Sequence, residues 1–128
     1  MDLDLTGRHA LVCGASEGIG RATAHELALL GANVTVLARR QDALDTVVAA
    51  LPRANGQVHR SVVGDMGDRE ALRNALAALV AEAPVHILVN NTGGPPGGTV
   101  FDADADAFLD AFGKHVLANQ ALVQAVVP

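Results

Sequence analysis

Aromatic residues are scarce in this sequence of 128 residues, which contains three Phe and neither Tyr nor Trp. The chain therefore carries no phenol that could take part in catalysis. Charge of one sign is not concentrated either, because the formal charge of −5 comes from acidic residues scattered along the chain. Nothing in this charge pattern favours DNA, RNA or an anionic membrane surface as a partner. We expect no nucleic-acid partner and no membrane partner.

Cysteine occurs once, as Cys13, so an internal disulfide is excluded. No stretch near the first residue combines a basic region, an apolar run and a small-residue cleavage site. Long hydrophobic runs are also absent, since none approaches the ~20 residues that a membrane-spanning helix needs. These absences favour a protein of the reducing cytoplasm.

Apolar residues make up half of the chain and charged residues 18%, a composition typical of a sheet covered by helices on both faces. The length suits one domain. No linker composition, low-complexity segment or tandem repeat divides the chain. We therefore expect residues 1–128 to form part of a single domain.

Short apolar runs alternate with amphipathic stretches four times along the chain. Predicted strands cover residues 9–13, 33–38, 58–63 and 85–89. Predicted helices cover residues 19–30, the stripe from Leu44 to Leu51, the stripe from Leu72 to Val80 after an Asp68 cap, and residues 104–127. Parallel strands need helical crossovers, and these have one favoured hand. The pattern predicts an α/β fold with a doubly wound parallel sheet of four βα units.

A glycine cluster follows the first predicted strand, in the sequence CGASEGIG of residues 13–20. Gly14 permits a tight turn, Gly18 lets the backbone approach a pyrophosphate, and Gly20 allows close packing of helix on strand. The spacing is GxxxGxG and differs from the GxGxxG fingerprint. We predict that the turn, with Ser16, Glu17 and Ile19, binds a dinucleotide; a glycine-rich turn without a ligand is the alternative.

Two arginines stand at the end of the second predicted strand, where NAD-binding units place an acidic residue for the ribose hydroxyls. No acid lies between residues 33 and 41, and Arg39 and Arg40 occupy this strand end. A guanidinium pairs with a 2′-phosphate through two charge-assisted hydrogen bonds. The sequence therefore favours NADP over NAD, with Arg39 as the first choice; two surface arginines without a ligand are the alternative.

These features, with Asp65 and the NNTG sequence of residues 90–93, resemble the short-chain dehydrogenase/reductase family, including its 3-oxoacyl-acyl-carrier-protein reductase-like members. The resemblance covers the whole chain and implies a Rossmann-type fold. It implies that Asp65 and Met66 border the adenine ring. It also implies that Asn91, Thr92 and Gly93 support the central strand and line the cofactor. The implied reaction is hydride transfer between NADP(H) and a small-molecule carbonyl or alcohol.

Three residues depart from the pattern of that family. Cys13 replaces a Thr, Thr92 replaces an Ala, and His115 stands where the family carries a catalytic Asn. Asn119 lies one turn further along the same predicted helix face, about 6 Å away along the axis. His115 is open to three interpretations: a proton-relay substitute, a hydrogen-bonded core histidine or a pH-sensitive residue in a subunit interface. We assign no catalytic residue in this chain.

Metal binding is not expected, because the other four histidines form no i, i+4 pair and have no paired cysteine beside them. They are His9, His25, His59 and His86.

The remaining catalytic residues of the family are a Ser and a Tyr-x-x-x-Lys pair, and this chain contains no Tyr. We expect these groups beyond residue 128, in an enzyme of which this chain is the N-terminal part, without the C-terminal strands and inactive alone. We expect a homo-oligomer, a dimer or tetramer, formed through the 104–127 helix. The alternative function is a non-catalytic dinucleotide-binding or interaction module that has lost the active site.

Overall fold

The structure, a computed structural model, describes residues 1–128 and contains four strands and five α-helices. The strands are β1 (His9–Cys13), β2 (Asn33–Ala38), β3 (Arg60–Val63) and β4 (Ile87–Val89). The helices are α1 (Gly18–Leu29), α2 (Gln41–Ala50), α3 (Arg69–Glu82), α4 (Ala105–Phe112) and α5 (Ala118–Val126). A π-helical turn (Gly113–Leu117) joins α4 to α5.

The four strands form one parallel sheet in the order β3-β2-β1-β4. His9 is in register with Asn33 of β2, and Ala10 is in register with Ile87 of β4. The chain thus builds the sheet outward from β1 in one direction and then returns to add β4 on the other side of β1. This reversal is the topological switch point of a Rossmann-type sheet, where ligands bind at the carboxyl ends of the strands. The predicted fold class is confirmed.

Two apolar clusters fill the two faces of the sheet, because successive residues of a strand point to opposite faces. Val12 of β1 packs with residues of α1 and α2, including Ala24 and Leu44. Leu11 and Cys13 pack on the other face with residues of α3 and α5: Leu72, Leu76, Leu79, Leu122 and Val126. Helices therefore cover both faces of the sheet, as the near-continuous apolar character of the strands indicated.

The third and fourth strands begin two residues later than predicted. Side chains replace the backbone ladder before β3: the Val34 N–H donates to Nδ1 of His59 (3.1 Å), and the Val58 N–H donates to Oδ1 of Asn33 (2.8 Å). Before β4, the His9 N–H donates to Nδ1 of His86 (3.0 Å). These bonds satisfy backbone groups at the amino-terminal edge of the sheet without extending the strands.

The spacing of Phe108, Phe112, Leu122 and Val126 predicts one apolar face on an unbroken helix over residues 104–127, and this prediction is wrong because the helix is interrupted. The π-helical turn has the Ala118 N–H donating to the Gly113 carbonyl, and this wider turn changes the helical phase of the residues after it. Leu122 and Val126 are buried against the sheet, whereas Phe108 and Phe112 are 56% and 51% exposed. No helix of the structure has both the length and the apolar character needed to cross a membrane.

Candidate functional site

A cleft of about 940 Å³ opens at the carboxyl-terminal edge of the sheet. Ten of the thirteen residues predicted to bind the cofactor line this cleft. They are Gly14, Ser16, Glu17, Arg39, Arg40, Asp65, Met66, Asn91, Thr92 and Gly93. They follow all four strands, and parallel packing brings these four segments to one edge.

The glycine turn closes tightly against the segment after β4. Gly14 has a φ of +59°, a conformation that glycine adopts readily. A Cβ at this position would lie 2.6 Å from the carbonyl oxygen of Asn91. A Cβ on Gly20 would overlap the carbonyl oxygen of Gly14 and lie 2.8 Å from Nδ2 of Asn91. Both glycines are therefore needed for close packing of the turn, the helix and the segment after β4.

Gly18, Ile19 and Gly20 do not line the cleft wall, unlike the other predicted residues. They form the first turn of α1, in which backbone N–H groups have no partner within the helix. Gly18 has a φ of +55° and no atom within 4 Å of an added Cβ, so open space adjoins the helix start. The Ile19 side chain is 78% exposed. This end of the helix combines free donors with positive potential, the properties that suit an anion.

Asn91 ties β4 to the glycine turn. Its Nδ2 donates to the carbonyl oxygens of Cys13 (3.3 Å) and Gly14 (3.2 Å). Both acceptors are backbone groups at the end of β1, where the strand ladder no longer satisfies them. The side chain thus fixes the spacing between the two strands that flank the switch point.

The far wall of the cleft is formed by the ends of β2 and β3. Arg39 and Arg40 are exposed there, and neither forms an intramolecular ion pair. Asp65 is exposed and its Oδ1 accepts the Gly67 N–H (2.8 Å), while Met66 is half-buried against the core. Both guanidinium groups are therefore free to bind an anion in the cleft.

Asp110 and Lys114 also line the cleft, although neither was predicted from the sequence as a site residue. Lys114 Nζ donates to Oδ2 of Asp110 at 2.8 Å. The Lys114 Cε lies 3.7 Å from the position that a Cβ on Gly67 would occupy, so the side chain spans from the long helix to the segment after β3. The i, i+4 spacing of the two residues on a helix is typical of a surface ion pair. No sequence signal places this pair beside Asp65.

Thr92 and His115 are in contact, although 23 residues separate them. Thr92 Oγ1 and His115 Nδ1 lie 2.5 Å apart and share a hydrogen bond. Both residues are half-buried. His115 is therefore hydrogen-bonded without being fully enclosed in the core.

Cys13 is buried beneath the glycine turn, and burial raises the pKa of its thiol to about 12. The thiol therefore stays protonated and is a poor nucleophile. No three His, Cys, Asp or Glu side chains are grouped closely enough to hold a metal ion.

The chain matches the model of the short chain dehydrogenase family over residues 8–128 and belongs to that family. It is 43% identical over 91 residues to the L-xylulose reductase of Mesocricetus auratus, covering 71% of this chain and 34% of the relative. It is 31% identical over 125 residues to the L-rhamnose 1-dehydrogenase (NADP(+)) of Thermoplasma acidophilum, covering 97% of this chain and 49% of the relative.

Among solved structures, the chain is similar to the L-sorbose reductase of Gluconobacter frateurii in complex with NADPH and L-sorbose. The TM-score is 0.89 at 29% identity, over 100% of this chain and 49% of the other. The chain thus spans between a third and a half of the length of these three relatives.

Proposed function

We propose that this chain forms the cofactor-binding part of an oxidoreductase that transfers a hydride between NADP(H) and a small-molecule carbonyl or alcohol. The observation that carries the proposal is the cleft at the switch point, which joins the glycine turn to two unpaired arginines. Membership of the short chain dehydrogenase family supports the reaction type. The named relatives act on sugars, which supports a polar carbonyl or alcohol as substrate.

The residues of the cleft fit a dinucleotide. The open space beside Gly18 and the free N–H groups of α1 suit a pyrophosphate, and Ser16 and Glu17 flank that position. Asp65 and Met66 would border the adenine ring. Asn91, Thr92 and Gly93 would line the cofactor next to the central strand. When bound, the nicotinamide would donate or accept the hydride, and the chain's residues would bind and orient the cofactor.

The residues that directly follow β2 are the reason for proposing NADP over NAD. Arg39 and Arg40 offer two guanidinium groups there, and no carboxylate follows the strand before α2 begins. A carboxylate would accept hydrogen bonds from a ribose 2′-hydroxyl and repel a 2′-phosphate. A relative named for NADP(+) and a structural neighbour complexed with NADPH support this preference.

We propose further that residues 1–128 are the N-terminal part of a longer Rossmann-type domain, which supplies a Ser and a Tyr-x-x-x-Lys pair from residues beyond 128. The chain alone would then bind cofactor without turning over substrate. Phe108, Leu109 and Phe112 of α4 are exposed, and we propose that this part of the 104–127 segment contributes to a homo-oligomeric interface. The proposed location is the cytoplasm.

Calorimetric titration of the chain with NADPH and with NADH, at one moderate ionic strength, tests the proposal. Tighter binding of NADPH is the expected result. Equal affinity for both would contradict the role of the arginines, and tighter NADH binding would reverse the preference. Absence of binding by a folded chain would show that residues 1–128 do not form a cofactor site.

A non-catalytic dinucleotide-binding or interaction module is the second candidate. One observation favours it: His115, at the position of the family's catalytic Asn, is hydrogen-bonded to Thr92 and does not line the cleft. The full sequence of the intact protein, read past residue 128, distinguishes the two candidates. A Tyr-x-x-x-Lys there supports the enzyme, and its absence supports the module.

A further inference from the structure

Thr92 is a residue of the cleft wall whose hydroxyl is hydrogen-bonded to a side chain outside the cleft lining. Thr92 lines the cleft, and its Oγ1 forms one side-chain hydrogen bond, with Nδ1 of His115. His115 does not line the cleft. The imidazole therefore contacts the Thr92 side chain from outside the lining of the cleft.

The π-helical turn helps to place this imidazole. His115 is the central residue of the turn Gly113–Leu117, in which the hydrogen bond runs from Ala118 N–H to the Gly113 carbonyl. Such a turn inside an α-helix is frequently found at functional sites. Here it directs one residue of a surface helix toward the end of β4.

The bond to His115 limits which hydrogen-bonding groups the Thr92 hydroxyl can offer to the cleft. A free threonine hydroxyl rotates to suit its partner and offers one donor and two acceptor positions. When Thr92 donates to an unprotonated Nδ1, its oxygen lone pairs are left for donors in the cleft. When Nδ1 carries the hydrogen, the hydroxyl receives that bond and its own hydrogen is free for an acceptor in the cleft. The tautomer of His115 thus determines whether the Thr92 hydroxyl offers a donor or an acceptor to the cleft.

We propose that His115 is a positioning residue for Thr92, and that it orients the Thr92 hydroxyl as a hydrogen-bonding group toward the bound dinucleotide. The inference rests on the proposed function of the cleft. It explains why two residues that both depart from the family pattern, Thr92 and His115, meet in the structure. Each replacement gives the other a partner.

The test is a double-mutant cycle on the 128-residue chain, read out as the NADPH affinity in calorimetric titrations. Thr92→Val keeps the shape and removes the hydroxyl, and His115→Gln moves the side-chain polar atoms away from the Nδ1 position. Each single variant is expected to weaken NADPH binding by about fivefold, the factor that corresponds to one hydrogen bond. The double variant is expected to lose no more than either single variant, because both remove one shared contact.

Conservative variants supply the controls. Thr92→Ser retains a hydroxyl, and His115→Asn retains a polar atom near the Nδ1 position, so both are expected to recover most of the lost affinity. Thermal unfolding of each variant separates lost folding from lost binding. If the role of the two residues were merely structural, the midpoint of thermal unfolding would fall in all four variants. The conservative variants would then bind NADPH no better than Thr92→Val and His115→Gln.

Two results would overturn the proposal alone: a folded His115→Gln chain with unchanged NADPH affinity, or losses from Thr92→Val and His115→Gln that add as independent effects. An unmodified, folded chain that binds neither NADPH nor NADH would overturn the proposed function of the cleft together with this inference. The two failures are therefore distinguished by the behaviour of the unmodified chain.

Discussion

The side-chain amide of Asn91 donates to the carbonyl oxygen of Gly14 at 3.2 Å and so ties the segment after β4 to the turn after β1. A second bond from the same Nδ2 reaches the carbonyl of Cys13. These contacts hold together the two strands on either side of the switch point. Asn91 is thus a structural residue of the cleft in addition to lining it.

Asn91→Asp should destabilise the chain, because a carboxylate cannot donate and would face two carbonyl oxygens. Unsatisfied polar groups cost about 1 to 3 kcal/mol each when buried, and this site is half-buried, so a loss of about 1 to 2 kcal/mol in the free energy of unfolding is expected. Urea unfolding at pH 7 measures it. Asn90→Asp makes the same change at an exposed neighbour without a side-chain hydrogen bond and should cost little. Equal losses in the two variants would contradict the role of Asn91.

Gly18→Ala should abolish dinucleotide binding while the chain stays folded. Gly18 has a φ of +55° and open space around an added Cβ, so the methyl group would occupy the space that we assign to the pyrophosphate. The backbone strain should cost about 1 kcal/mol of stability.

Gly56→Ala is a matched control for this experiment. Gly56 has a φ of +72° and also has no atom within 4 Å of an added Cβ, but it lies in the loop before β3, away from the start of α1 where we place the pyrophosphate. The two variants should lose similar stability by thermal unfolding, and only Gly18→Ala should lose NADPH binding in calorimetry. Retention of full affinity by a folded Gly18→Ala chain would remove the glycine turn from the site.

Much of the sheet was predictable because its information is local. The β-branched run of β2 and the apolar run of β1 match the structure residue for residue, and the predicted Asp68 cap accepts the Ala71 N–H at 3.1 Å. The carboxyl ends of these strands must meet at one edge in a parallel sheet. Because of this property of parallel sheets, most of the predicted cofactor residues line one cleft.

Other features depend on contacts between distant residues. The π-helical turn changes the direction in which the residues after it point. The spacing of residues 108–126 therefore predicted Phe108 and Phe112 on the same face as Leu122, but Leu122 is buried and the two phenylalanines are exposed. Lys114 reaches the segment after β3 from a helix more than forty residues away in the sequence. The Thr92–His115 bond likewise joins two positions that the sequence showed only as separate departures. Periodicity cannot reveal such pairs.

Arg39→Asp should shift the cofactor preference from NADPH toward NADH. The carboxylate would repel a 2′-phosphate and accept hydrogen bonds from a 2′-hydroxyl. Losing a charge-assisted bond costs about 1.5 to 3 kcal/mol, which corresponds to a weakening of NADPH binding by roughly ten- to a hundredfold. Titration of the variant with both dinucleotides measures the shift.

Arg73→Asp is the control for that charge reversal, because Arg73 is exposed on α3 and does not line the cleft. It changes the net charge by the same amount and should leave the ratio of the two affinities unchanged. If Arg39→Asp behaves like Arg73→Asp, the guanidinium of Arg39 is a surface group, and Arg40→Asp then tests the remaining arginine of the strand end.

Acid should destabilise the chain through two histidines at the amino-terminal edge of the sheet. Burial lowers the pKa of His9 and of His59, even though hydrogen bonds to the Pro84 and Pro52 carbonyls act in the opposite direction. The geometry agrees: His59 Nδ1 accepts the Val34 N–H (3.1 Å) while its Nε2 bonds the Pro52 carbonyl (2.8 Å), which requires a neutral ring. Protonation of His59 Nδ1 would turn this acceptor into a donor, so that it would face the Val34 N–H with no acceptor between them.

The sign of the effect follows from proton binding by the two states. An unfolded histidine has a pKa of about 6.5, and the folded pKa of each residue lies lower, so the unfolded chain binds more protons as the pH falls through this range. The stabilisation is complete above about pH 6.5 and is lost progressively as the pH falls toward the folded pKa values. Urea midpoints should therefore fall between pH 7.5 and pH 5, conditions that we choose to bracket about 6.5.

His59→Gln separates this effect from general acid sensitivity. Glutamine does not titrate, so the variant should be less stable at pH 7.5 but should show a smaller change in its urea midpoint on acidification. His25→Gln is the control, because His25 is exposed on α1 and outside these contacts. If His59→Gln and the unmodified chain lose the same stability between the two pH values, His59 does not contribute to the acid sensitivity, and His9→Gln then tests the other buried ring.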